Sequence, residues 1–115
     1  CVLVNIKTGI IESFANTSKN DGKIAHAEMN ALRSLKNGVG EDYILYSTGE
    51  PCPMCMGAII WSGIKTVRYG LSIEEISEFQ KQIMISSKEI AGASWKKIDI
   101  EGGYCKAACK DLFTT

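Results

Sequence analysis

Hydrophobic and polar positions mark out short strands at the start of the chain and then settle into a helical rhythm. Cys1-Val-Leu-Val-Asn-Ile6, the turn Lys7-Thr8-Gly9 and the apolar pair from Ile10 onward predict two strands joined by a glycine-containing turn. Residues 16–23, rich in Asn, Ser, Asp and Gly, predict a loop. Apolar residues at 25, 29, 32 and 35 predict a helix from Ala25 to Lys36, ended by Asn37-Gly38. Tyr43 to Ser47 reads as a short buried strand. Pro53 to Trp61 reads as a helix so uniformly apolar that burial on most faces is expected. Thr66 to Tyr69 predicts a further strand and Ser72 to Phe79 a short helix. Residues 81–95 carry no clear period, Lys97 to Ile100 fits a strand, and Cys105 to Phe113 fits a helix. Strands alternating with helices predict an α/β sandwich.

Composition narrows the class. At 115 residues the chain is expected to form one domain, with 45% apolar and 23% charged residues in ordinary globular proportion. It carries no apolar run of about 20 residues and no basic-then-apolar leader, so no membrane partner is expected and the cytoplasm is the expected location. The chain opens inside a strand pattern at Cys1, so residues upstream, a helix among them, are expected. Thirteen basic residues balance thirteen acidic ones, without a basic stripe. That balance points to a small ligand before a polyanion.

Five cysteines do not pair into a disulfide framework, and their grouping matters more than their number. Cys52 and Cys55 form a CxxC flanked by prolines. Cys105 and Cys109 lie four apart and read as ordinary thiols, although that spacing also suits a metal. Catalytic zinc keeps three protein ligands and leaves the fourth position to water. The one histidine of the chain, His26, together with Cys52 and Cys55, makes three.

Local physics supports that grouping. Pro53 drives Cys52 into extended backbone, as a helix N-cap requires, and itself suits the first helical position. Both sulfurs then lie beside unpaired N–H groups at the positive end of a helix, where thiolates are favoured. His26 and Glu28 are two apart, yet in a first turn both side chains lean back towards the helix start. Two helix starts, near residues 25 and 53, would therefore converge on one ion. Zinc lowers the pKa of bound water, and Glu28 is the carboxylate placed to take that proton and pass it to a leaving amine. A CxxC alone also suits a redox pair or half of a structural zinc site. The joint pattern, His-x-Glu followed by Pro-Cys-x-x-Cys, is the signature of zinc deaminases.

His26-Ala-Glu-Met-Asn-Ala-Leu-Arg33 and the stretch Tyr43 to Gly63, with Glu50-Pro-Cys-Pro-Met-Cys55 at its centre, resemble the cytidine deaminase-like superfamily. The likeness is closest to the branch of guanine, cytosine and tRNA adenosine deaminases, and it covers residues 1 to about 71. Within that branch Pro-Cys-Pro-Met-Cys, Gly-Ala-Ile and Trp61 look most like guanine deaminase. The resemblance implies a three-layer α/β/α sandwich with a mixed, roughly five-stranded sheet, assembled as a homodimer. It implies Zn2+ on His26, Cys52 and Cys55, with Glu28 as the proton shuttle. Asn16 is then expected to hydrogen-bond the substrate ring, helped by backbone groups of Ala27 and Cys52; by its own sequence context Asn16 is equally a turn residue. The expected reaction is hydrolytic removal of an exocyclic amine from a purine or pyrimidine, guanine first among the substrates. A tRNA adenosine deaminase and a non-catalytic zinc-stabilised binding module are the alternatives.

Overall fold

Four residues from four strands, Leu3, Leu45, Val67 and Ile100, stand side by side across a sheet and form the centre of the core. The computed structural model describes residues 1–114. Its sheet has five strands: β1 (Val2–Asn5), β2 (Ile11–Ser13), β3 (Tyr43–Gly49), β4 (Thr66–Leu71) and β5 (Asp99–Glu101), in the order β2-β1-β3-β4-β5. β1 runs antiparallel to β2 and β3, whereas β3, β4 and β5 are parallel. The mixed α/β sheet expected from the sequence is therefore present.

Parallel neighbours need crossover segments, and these supply the helices. Helix α1 (Ser18–Asp21) is a single turn within the stretch read as loop. It is followed by α2 (Ala27–Arg33), α3 (Pro53–Ser62), α4 (Ile73–Ile76), α5 (Ser87–Gly92) and α6 (Lys106–Thr114). Ala31 and Leu32 of α2, Met56, Ile59 and Ile60 of α3, and Ala91 of α5 cover the Leu3–Ile100 row. Burying a Leu, Ile or Met side chain contributes about 1.5–3 kcal/mol, so this layer is the main source of stability. Beyond β4, α6 approaches from the other face. Gly70 permits this, since a Cβ there would collide with the sulfur of Cys109 and with the Thr48 carbonyl.

Three expectations need correction. The helix read over residues 25–36 is two segments, α2 and a 3-10 turn at Lys36–Gly38, because Leu35 between them leaves the helical region for extended backbone with ψ of 130°. The helix over 53–61 is not buried on most faces: Cys55, Met56, Ile59 and Ile60 are buried, but Trp61 is 78% exposed and packs against exposed Trp95. Uniform apolarity hid a one-sided helix. The patternless stretch 81–95 contains α5, whose start is fixed by a capping box between Ser86 and Glu89. No helix among the described residues is long and apolar enough to cross a membrane.

Candidate metal centre and active-site cleft

Two helix starts face each other at the carboxyl end of β3. His26 is the N-cap of α2 and Cys52 the N-cap of α3, both in extended backbone with ψ of 157° and 168°. Pro53 occupies the first turn of α3, where its missing N–H leaves no donor unsatisfied. Glu28 lies in the first turn of α2 and Cys55 in the first turn of α3.

The donor atoms meet. His26 Nδ1 is 3.6 Å from Cys52 Sγ and 3.6 Å from Cys55 Sγ, and all three ligand atoms lie within 4.8 Å of one another. A tetrahedral zinc with Zn–S of about 2.3 Å and Zn–N of about 2.05 Å sets its nitrogen and sulfur ligands about 3.6 Å apart. The residues present therefore fit Zn2+ in both donor chemistry and spacing. Since Nδ1 faces the sulfurs, it is the ring nitrogen offered to the ion.

Electrostatics prepares the cluster unequally. The Cys52 thiol is lowered to about 5, chiefly because it accepts a hydrogen bond from the Cys55 thiol, with N–H groups of Cys55 and Met54 and the nearby His26 adding to the effect. Cys55 is pushed the opposite way, holding the shared proton beside an existing thiolate and under burial. The pair thus keeps one proton until a cation replaces it. Burial raises the Glu28 carboxyl above the usual carboxylate range, and the Cys52 thiolate pushes it the same way. Its own backbone N–H and His26 oppose the shift. A carboxyl held up in this manner suits a group that must both accept and return a proton.

A cleft of about 500 Å³ opens on this cluster, within the range usual for small-molecule sites. His26, Ala27, Glu28 and Cys52 form its floor and Asn16 its rim, while Cys55 is buried behind. The cleft thus unites Asn16, Ala27, Glu28, His26 and Cys52. The Asn16 side chain accepts the Ser18 N–H at 2.9 Å, so it is a turn residue and a cleft residue at once. Cys105 and Cys109 stand apart on the α6 side, one exposed and one buried against Gly70, outside the metal group.

Sequence reasoning missed the other walls. Ser47, Thr48 and Gly49 contribute the end of β3, while Ile76, residues 80–82 and Phe113 close the cleft from α4, the following loop and α6. Asn30 was passed over as part of a helical pattern. Its Nδ2 donates to Ala15 O and Thr17 Oγ1, both at 2.9 Å, and so pins the segment that carries Asn16 to α2. A polar amide inside an apolar helical period was the signal available for it.

Residues 1–71 match the family model of the cytidine and deoxycytidylate deaminase zinc-binding region. The chain belongs to this family of zinc-dependent hydrolases acting on C–N bonds. It is 32% identical over 112 residues to a probable cytosine deaminase of Schizosaccharomyces pombe, covering 90% of this chain and 69% of that protein. Identity to the guanine deaminase of Bacillus subtilis is 38% over 81 residues, 65% of this chain and 52% of that enzyme. A tRNA-specific adenosine deaminase of Buchnera aphidicola subsp. Baizongia pistaciae is 33% identical over 118 residues, covering 99% of this chain and 71% of it. The chain thus spans about half to seven-tenths of these relatives. The fold is also that of guanine deaminase from Nitrosomonas europaea, with a TM-score of 0.76 at 17% identity over 98% of this chain and 69% of that one.

Proposed function

We propose that this zinc-binding deaminase removes an exocyclic amine from a free purine or pyrimidine base, with guanine as the leading substrate. In this reading His26, Cys52 and Cys55 hold the ion and Glu28 carries the protons. The observation that carries it is the 3.6 Å spacing of one imidazole nitrogen to two sulfurs at the floor of a cleft that also contains Glu28. Zn2+ held there would supply Lewis acidity and draw the pKa of a coordinated water towards neutrality.

The protein's own part is proton traffic and positioning. Water adds to the amine-bearing ring carbon, and the C–N bond breaks. Glu28 takes one proton from the water and delivers it to the ring nitrogen, then takes the second from the hydroxyl left on the ring carbon and delivers it to the departing amine, and so ends as it began. Ammonia leaves and a carbonyl remains. Asn16, its carboxamide oxygen already engaged by Ser18, would offer its NH2 group to a ring acceptor. Backbone groups of Ala27 and Cys52 would complete the grip.

Guanine is preferred because the motif around Cys55 and Trp61 is similar to guanine deaminase and because the chain is 38% identical over 81 residues to the Bacillus subtilis enzyme. A cytoplasmic homodimer is part of the same reading. Five free cysteines suit a reducing compartment, and the exposed Trp61–Trp95 pair, with centroids 4.7 Å apart, offers an apolar face to a second copy. The test is ammonia release by the zinc-loaded protein from guanine, cytosine, cytidine, adenine and tRNA. Guanine turnover supports the reading, tRNA turnover replaces its substrate, and silence on all five with zinc bound leaves a non-catalytic zinc module.

A further inference from the structure

Glu50 is 6% exposed, and among the described residues no cation is paired with its carboxylate. Burying such a group is costly unless hydrogen bonds replace water. Here they do. Oε1 accepts the Ile73 N–H at 2.8 Å, and Oε2 accepts the Ser87 N–H at 2.7 Å and the Ser87 hydroxyl at 2.5 Å. Ile73 and Ser87 are the first residues of α4 and α5, whose capping boxes already satisfy neighbouring donors through Ser72–Glu75 and Ser86–Glu89. One carboxylate thus closes two helix starts, 23 and 37 residues away along the chain. These are charge-assisted bonds, stronger than neutral ones.

The same residue is fixed on its backbone side. Its N–H donates to the Leu71 carbonyl at 2.7 Å, extending the β3–β4 ladder one step beyond Gly49. The next residue, Pro51, is fully buried, and the one after it is Cys52. The start of α3 therefore has little freedom to shift without breaking a bond of Glu50. Between the two helix starts runs the loop that supplies Gln80, Lys81 and Gln82 to the cleft.

We propose that Glu50 is the positioning residue of the metal centre, holding Cys52 at ligand distance from His26 and fixing the Gln80–Gln82 wall with the same carboxylate. This rests on the reading of His26, Cys52 and Cys55 as metal ligands. Glu50 borders the cleft, but both of its carboxylate oxygens are engaged by Ile73 and Ser87, so it acts on the metal centre through Cys52. A glutamine could not replace it, because its NH2 would face an N–H donor where an oxygen now accepts.

The test compares the full chain with E50Q, S87A and the remote core variant I100V in β5, each checked for folding by circular dichroism. The readouts are Zn2+ affinity by chelator competition, the thiolate charge-transfer and d–d bands of the Co2+-loaded protein, and the KM-against-kcat split on whichever base is turned over. Outer partners of metal ligands commonly contribute 10–100-fold in affinity. E50Q is expected to lose at least tenfold in Zn2+ affinity with altered Co2+ bands, S87A to lose less in the same direction, and I100V to keep both. Turnover should fall mainly in kcat. Wild-type bands and affinity within twofold in folded E50Q overturn the proposal. If E50Q does not fold, the same result in S87A overturns it. Wild-type protein that binds zinc but releases no ammonia sinks the deaminase reading alone; wild-type protein that binds no zinc sinks both.

Discussion

His26 and Cys52 hold equivalent positions in different helices: each is an N-cap in extended backbone, and Nδ1 of one lies 3.6 Å from Sγ of the other. Neither side chain makes an ordinary cap hydrogen bond to its own helix, although the first N–H groups of α3 lie close enough to the Cys52 sulfur to favour its thiolate. Cap positions normally go to Ser, Thr, Asp or Asn, whose oxygens satisfy the free N–H groups. Here both caps are turned outward to a shared point. The positive ends of the two helices consequently converge where a thiolate and a carboxylate are needed, and each helix gives up some capping energy for that arrangement.

Glu28 is the proton carrier of the proposed reaction, a role that separates cleanly from metal binding. Glu28→Gln keeps the size of the side chain and removes only its ability to accept and return a proton. Zinc stoichiometry by elemental analysis should stay at one per chain, while kcat for ammonia release falls about 10²–10⁴-fold. Activity within tenfold of wild type would end the case for Glu28.

Zinc loading should release a proton from the cysteine pair. Cys52 is already a thiolate near neutrality, its thiol being lowered to about 5, whereas Cys55 is raised and keeps the shared proton. A raised group must lose its proton for the ion to enter, so affinity rises with pH and falls as pH drops. One proton gives about a tenfold change in Kd per pH unit. Calorimetry at pH 7.5–9 in buffers of different ionisation enthalpy measures this directly. A pH-independent Kd would contradict it.

The centre was far more legible in the sequence than the cleft above it. Cys52 and Pro53 announce their own backbone through local sterics, and His26 and Glu28 sit two residues apart in one helix turn, so short-range rules reach them. The β1–β2 turn and the β3 and β4 segments follow from equally local patterns. The walls contributed by Ile76, Gln82 and Phe113 depend on where α4 and α6 dock, which no local period encodes. Glu50 shows the limit well. Its partners lie 23 and 37 residues away, and nothing at position 50 itself names them. The Ser86–Glu89 capping box, in contrast, was legible and would have revealed α5 in a stretch without apolar period.

Asn30 links α2 to the substrate side of the site. Its amide bonds to Ala15 O and Thr17 Oγ1 hold the segment on which Asn16 projects into the cleft. Asn30→Ala removes both and leaves their acceptors to water, a cost of about 1–2 kcal/mol in stability. The functional effect should be selective, with KM rising severalfold while zinc affinity is unchanged. Steady-state kinetics and chelator competition together check this, and a fall in kcat at constant KM would show that the Asn16 segment does not contact substrate.

Gly70 governs the opposite wall from a distance. A methyl group there would run into the Cys109 sulfur and the Thr48 carbonyl, and the latter is backbone that cannot swing aside. Gly70→Ala must therefore move α6 outward from β4. Overpacking of this kind costs about 1–3 kcal/mol, a fall in Tm of about 5–15 °C for a domain of this size. Because α6 also carries Phe113 over the cleft beside Gly49, the displacement should weaken substrate binding without touching the metal ligands. Phe113→Ala isolates that second effect, raising KM with little change in zinc affinity. If Gly70→Ala lowers Tm while both variants leave KM unchanged, α6 is a structural cover and Phe113 takes no part in holding the base.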